Sequence, residues 1–214
     1  RFSNEAQRAV TLSNPHWIGQ TEITQEHYAI VRSKNPSLDK NSSFPVVCSC
    51  FDAQKFCKEL NKQQKPPTGN IWRLPTETEW ELACRAGSDG PYCESIVGPM
   101  NHDVELSEKH LDQYGWFAGN SGNKIHPVKQ KLPNSLGLYD MHGNVWEWCL
   151  DSTQSEKVNM LEQRVSGEIN PFSTTGNWKT LRGGCYDVKA DRCRSAYRGA
   201  NAPSIVQGDR GFRI

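Results

Sequence analysis

Eight cysteines are the residues of this 214-residue chain best able to do chemistry: Cys48, Cys50, Cys57, Cys84, Cys93, Cys149, Cys185 and Cys193. A thiolate can attack carbon, exchange with a disulfide or hold a soft metal, so spacing decides what such residues could do. Cys48-x-Cys50 is too tight for the usual zinc knuckle, and neither a second Cys-x-x-Cys nor a paired histidine follows it. Fully paired, eight cysteines allow about a hundred connectivities, and the sequence selects none. They are too sparse for a disulfide scaffold, so buried or partly paired side chains are the simpler expectation. His126 and His142 have no partner at metal-ligand spacing and read as structural.

Around these residues the chain alternates short regular elements with irregular ones. Residues 10–18 alternate like a strand, and Thr24 caps a helix running to about Arg32. A second helix is expected over 51–61, with Ala53, Phe56, Cys57 and Leu60 on one face. Thr76-x-x-Glu79 after Pro75 is a capping box opening a third helix through Cys84 that closes at Gly87. Residues 88–121 read as a long irregular excursion, followed by short strands near 137–139, 145–149, 179–181 and 211–214. Seven tryptophans, mostly among Gly, Asn and Pro, suit a domain whose irregular backbone is anchored by indole rings.

Composition excludes several classes. Lys and Arg total 25 against 24 acidic residues, a net charge of +1, so no global field favours nucleic acid or an anionic membrane. No apolar run is long enough to span a bilayer. With neither repeats nor a linker, residues 1–214 read as one domain.

Four blocks then carry a resemblance. They are Trp17-Ile18-Gly19-Gln20-Thr21-Glu22-Ile23-Thr24; Trp72 to Glu81, reading WRLPTETEWE; Pro133 to Trp148, reading PNSLGLYDMHGNVWEW; and Leu181-Arg182-Gly183-Gly184 running on to Gly211-Phe212-Arg213. In this order they resemble the formylglycine-generating enzyme (sulfatase-modifying factor) family. The resemblance implies an α+β fold, an elaborated C-type-lectin-like domain of short twisted antiparallel strands, two to three helices and much loop. Physically, Gly143-Asn144 permits a left-handed turn and Gly183-Gly184 a close backbone approach. Arg182 and Arg213 are expected to pair with buried acids such as Glu147 or Glu79.

The resemblance also implies chemistry to test against the residues. Family members bind calcium around the motif matching Asn144 to Glu147, which makes Asn144 and Glu147 candidate ligands for a structural Ca2+. The family's oxidases hold copper with two cysteines in the last segment. The second matches Cys193 but the first falls on Val188, and Cys185 occupies the small polar position after the Gly pair. A copper-dependent oxidoreductase acting on a cysteine or other thiol, with Cys193 its catalytic residue, is therefore the alternative. The preferred expectation needs no cofactor.

That expectation is a non-catalytic domain that binds a protein or small-molecule ligand. It resembles the variable proteins of diversity-generating retroelements, which display altered residues from a C-terminal segment, here 183–210. Between fixed landmarks lie Tyr186, Asp187, Val188, Lys189, Asp191 and Arg192, then Tyr197, Ala200 and Asn201, then Ser204, Ile205, Val206, Gln207 and Asp209. Tyr186 and Tyr197 suit amphipathic anchors, Ile205-Val206 an exposed apolar pair, and Trp116 a rim contributed by the excursion. A third class is an accessory domain of a larger protein, such as a kinase or a lipoprotein.

Overall fold

Three side-chain caps fix where the main helices begin. The computed structural model describes residues 9–66, 69–93, 104–155 and 167–214. Thr24, Ser49 and Thr76 each accept a backbone N–H of the first turn, opening α1 (Gln25–Arg32), α2 (Cys50–Gln63) and α3 (Glu77–Arg85). Each such cap satisfies an orphan donor and contributes about 1 kcal/mol. At Thr76 the box is complete, because Glu79 reaches back to the Thr76 N–H at 2.8 Å. α1 and α3 end on left-handed residues, Ser33 and Ala86, one residue before the expected Gly87 in the second case.

Within the 88–121 excursion the chain forms a helix, α4 (Val104–Tyr114), which its sequence does not announce. The expected strand over 10–18 reduces to β1 (Val10–Thr11), paired in parallel with β3 (Glu168–Ile169). Pro15 offers no ladder donor, and the chain beyond it bonds to the C-terminal end instead: Gly19 N–H to the Ile214 carbonyl, and Ile23 N–H to the Phe212 carbonyl at 2.8 Å.

The main sheet is four-stranded, in the order β5 (Gly199–Asn201), β4 (Trp178–Arg182), β2 (Trp146–Thr153), β6 (Arg210–Gly211). β2 pairs antiparallel with β4 and parallel with β6. Seven of its eight residues are buried, which is why its sequence is apolar and aromatic without clean alternation. No strand forms at 137–139.

The sheet packs against α1 and α2 through Tyr28, Phe56, Phe212, Trp148, Val46 and Leu181. Phe56 stacks on Tyr28 at 5.4 Å and meets Phe212 edge-on at 5.3 Å. A second cluster sets Trp80 of α3 against Met141 and Cys149. Two buried arginines join the clusters. Arg213 forms a bidentate pair with Glu147 at 2.6 and 2.7 Å, as expected. Arg182 pairs with Glu77 and Glu81, not with Glu147 or Glu79. Glu77 and Glu81 stand one turn apart on α3 and face β4, whereas Glu79 is engaged by Arg73 and by its own cap. Among the described residues, no helix is long and apolar enough to cross a membrane.

Candidate functional site

The chain leaves β4 at Arg182, rejoins the sheet at β5 and again at β6, so the segment between is anchored along its length. Gly183 and Gly184, both at positive φ, turn it sharply; a Cβ on Gly184 would lie 2.6 Å from the Cys193 sulfur. Tyr186 N–H bonds to the Asn144 carbonyl at 2.9 Å, and Ser121 Oγ donates to the Tyr186 carbonyl at 2.7 Å. A short 3₁₀ helix, Ala190–Cys193, is tied down by the Tyr92 hydroxyl on the Ala190 carbonyl. Arg182 Nη1 then donates to the Ser195 and Tyr197 carbonyls at 2.9 and 2.7 Å, and Arg198 pairs with Glu77. β5 follows, Phe51 N–H holds the Pro203 carbonyl, and Trp146 N–H holds the Asp209 carbonyl at 2.8 Å.

This stitching separates anchoring side chains from presented ones. Asp187, Lys189, Asp191, Arg192, Ser204, Val206 and Gln207 are exposed. Ala200 is buried in β5. Tyr186, Val188 and Tyr197 are half-buried and pack on the main core, with Tyr197 also 5.9 Å from the Trp146 ring. Asn201, Ile205 and Asp209 are intermediate. Trp116 is not a free ring: His126 stacks on it at 3.7 Å and the Lys131 ammonium lies 4.0 Å from its centre. Phe51, read from sequence only as the start of a helix, is 47% exposed beside Pro203. The signal available was its position on α2 away from the Ala53, Phe56 and Cys57 face.

The two expected metals can be tested on this geometry. Both Glu147 oxygens are taken by Arg213, and one also accepts from Trp80 Nε1 at 2.7 Å. The Asn144 side chain bonds to Glu22 and to the His126 backbone. So arranged, Asn144 and Glu147 do not fit a calcium ion, whose ligands must offer free oxygens. Beside them, Glu22 Oε2 and Asp140 Oδ1 are buried without a hydrogen-bond partner among the described residues. Burial, with Glu147's charge nearby, raises the Asp140 carboxyl to about 6. Burial, with the charges of Asp140 and Glu147 nearby, pushes Glu22 well above the carboxylate range.

Copper does not fit either. Val188 fills the position of the missing thiol and packs between the clusters holding Cys185 and Cys193. All eight cysteines are buried free thiols. Burial pushes the Cys193 thiol far up, and Cys84, Cys50 and Cys57 to about 12, so these sulfurs are poor nucleophiles. His142 accepts from Cys93 N–H at 3.0 Å, and its other ring nitrogen lies 2.8 Å from the Cys193 carbonyl, a structural role.

Comparison with known proteins agrees with this architecture. A profile of the sulfatase-modifying factor enzyme 1-like domain matches residues 2–214. The chain is 27% identical to the chaperone protein LppX of Paenibacillus barcinonensis, over 99% of this chain and 83% of that protein. It is 33% identical to the formylglycine-generating enzyme of Streptomyces coelicolor, over 93% of this chain but only 60% of the enzyme. Among solved structures, Treponema denticola variable protein 1 superposes with a TM-score of 0.74 at 29% identity, covering 92% of this chain and 82% of that one. The four blocks, the sheet they build and these matches place the chain in the sulfatase-modifying factor (formylglycine-generating enzyme) family.

Proposed function

We propose that this domain is a non-catalytic recognition module that binds a protein or small-molecule ligand through its 183–210 segment. One observation carries the reading: the segment's backbone is pinned from behind by Arg182, Arg198 and the sheet, while chemically mixed side chains point outward. A surface of that kind can change its side chains without changing its scaffold. Likeness to the Treponema variable protein supports the same reading. The alternative, copper-dependent thiol oxidation, draws support from the relatedness to formylglycine-generating enzymes but lacks a thiol at Val188.

Peptide and glycan arrays probed with wild type and with the triple variant Ser204→Ala/Val206→Ala/Gln207→Ala test the reading. Recognised probes are expected to lose at least tenfold in signal, with Tm shifted by less than about 2 °C because these side chains are exposed. Probe signals that survive both this triple and Asp191→Ala/Arg192→Ala would end it.

A further inference from the structure

Cys185, Asp187 and Asp209 converge on one point of the 183–210 segment. Their sulfur and carboxylate oxygens all lie within 4.8 Å of one another. Cys185 Sγ is 2.9 Å from Asp187 Oδ1 and 3.6 Å from Asp209 Oδ2. Among the described residues no other group of three His, Cys, Asp or Glu converges in this way. Separate anchors hold Cys185 and Asp209. The Gly183-Gly184 turn places Cys185, fully buried, and the Val188 N–H closes back onto the Cys185 carbonyl at 3.3 Å. Asp209 is fixed by its backbone bond to Trp146 and by Arg210, whose Nη1 lies 2.6 Å from Oδ1. Arg210 thus engages one oxygen of Asp209 and leaves Oδ2 turned to the sulfur, the arrangement by which outer groups orient metal ligands.

Only one proton sits between this sulfur and the two carboxylates it faces, so the thiol can donate to one of them at a time. A divalent cation would satisfy all three groups at once. The geometry points to a mononuclear site for a borderline-soft divalent cation of the zinc class, held by Cys185, Asp187 and Asp209. A tetrahedral zinc with one sulfur and two oxygen ligands has S···O edges of about 3.5 Å, between the two distances present. The sulfur disfavours calcium and magnesium, which take oxygen alone, and a single thiol is too few for Cu(I). Asp187 is exposed, so the fourth position opens on solvent and is free for a water or a ligand group. Binding forms the metal–sulfur bond and releases the Cys185 proton to buffer. The site lies on the proposed recognition face but does not depend on that reading, since a ligand could be bound without metal and metal without a ligand.

The experiment is titration of reduced, chelator-stripped protein with zinc alone, followed calorimetrically, and with cobalt(II), followed by absorbance. Wild type should take up one equivalent and show a near-ultraviolet sulfur-to-cobalt charge-transfer band. Asp187→Asn, an exposed change, should weaken zinc at least tenfold while the melt in chelator is unchanged. Cys185→Ser should abolish the band. Absence of uptake by wild type, affinity unchanged in Asp187→Asn, or a band that persists in Cys185→Ser each overturns the site. Should Cys185→Ser fail to fold, Asp187→Asn and Asp209→Asn decide it.

Discussion

Replacing Arg213 with Met would test the reading of the buried centre most severely. The Arg213 guanidinium is fully buried and makes four bonds: two to Glu147, one to the Gly19 carbonyl and one to the Tyr139 carbonyl. Methionine approximates the stem but removes what is, among the described residues, the only cation pairing Glu147, with Glu22 and Asp140 close enough to feel its charge. Breaking one side of a buried pair costs about 3–5 kcal/mol, because the remaining charge stays desolvated. The loss is expected at that size by urea unfolding at pH 7.5. The pH dependence follows from the neighbours. A carboxyl whose folded pKa is raised binds more protons folded than unfolded, so it favours folding at low pH and loses that contribution as pH rises through the folded value. For Asp140 the window runs from about 4, its unfolded value, to about 6. Without Arg213 the acids have still more reason to bind protons, so the deficit should shrink at pH 5. Glu147→Gln on the Arg213→Met background should recover part of it. A deficit below about 1 kcal/mol at pH 7.5, or one equal at both pH values, would refute the account.

Three further outcomes follow from local geometry. Gly184→Ala places a Cβ at φ 78° and 2.6 Å from the Cys193 sulfur, and should cost about 2 kcal/mol or more by denaturant titration. Thr76→Ala removes the capping box of α3 and should cost about 1 kcal/mol, with the loss read in the same assay. In native protein at pH 8, Ellman's reagent should modify less than about one thiol per chain within minutes, and all eight after unfolding, since every cysteine is buried.

Much of this was legible in the residues themselves. Helix starts could be read because Thr24 and Thr76 act within three residues of their own position, and the Gly pair at 183–184 could be read because φ is a local property. The Arg213–Glu147 pair was legible because a buried charge demands an opposite one. Its counterpart was misread: Arg182 takes Glu77 and Glu81, since helical phase puts those two on the β4 side while Glu79 closes the cap. α4 stayed hidden inside a stretch whose apolar residues show little period. Trp116 looked like a free ring because the residues covering it, His126 and Lys131, are brought there only by tertiary folding. The meeting of Cys185 and Asp187 with Asp209 depends likewise on β6 lying beside β2, a pairing no local pattern encodes.

The return of the chain to the sheet at β6 has a consequence for how changes in the 183–210 segment are screened. Phe212 and Arg213 are fully buried, and Ile23 and Cys48 both donate backbone bonds to residues 210–212. The last turn of the core is thus made from chain translated after the presented loop. A substitution in the loop leaves these residues in place, but a shift of reading frame there replaces them all. Such a product would lack the counter-ion of Glu147 and the ring that meets both Tyr28 and Phe56 edge-on, and would fail to fold. Folding itself would then act as a proofreader, passing altered side chains and discarding altered frames.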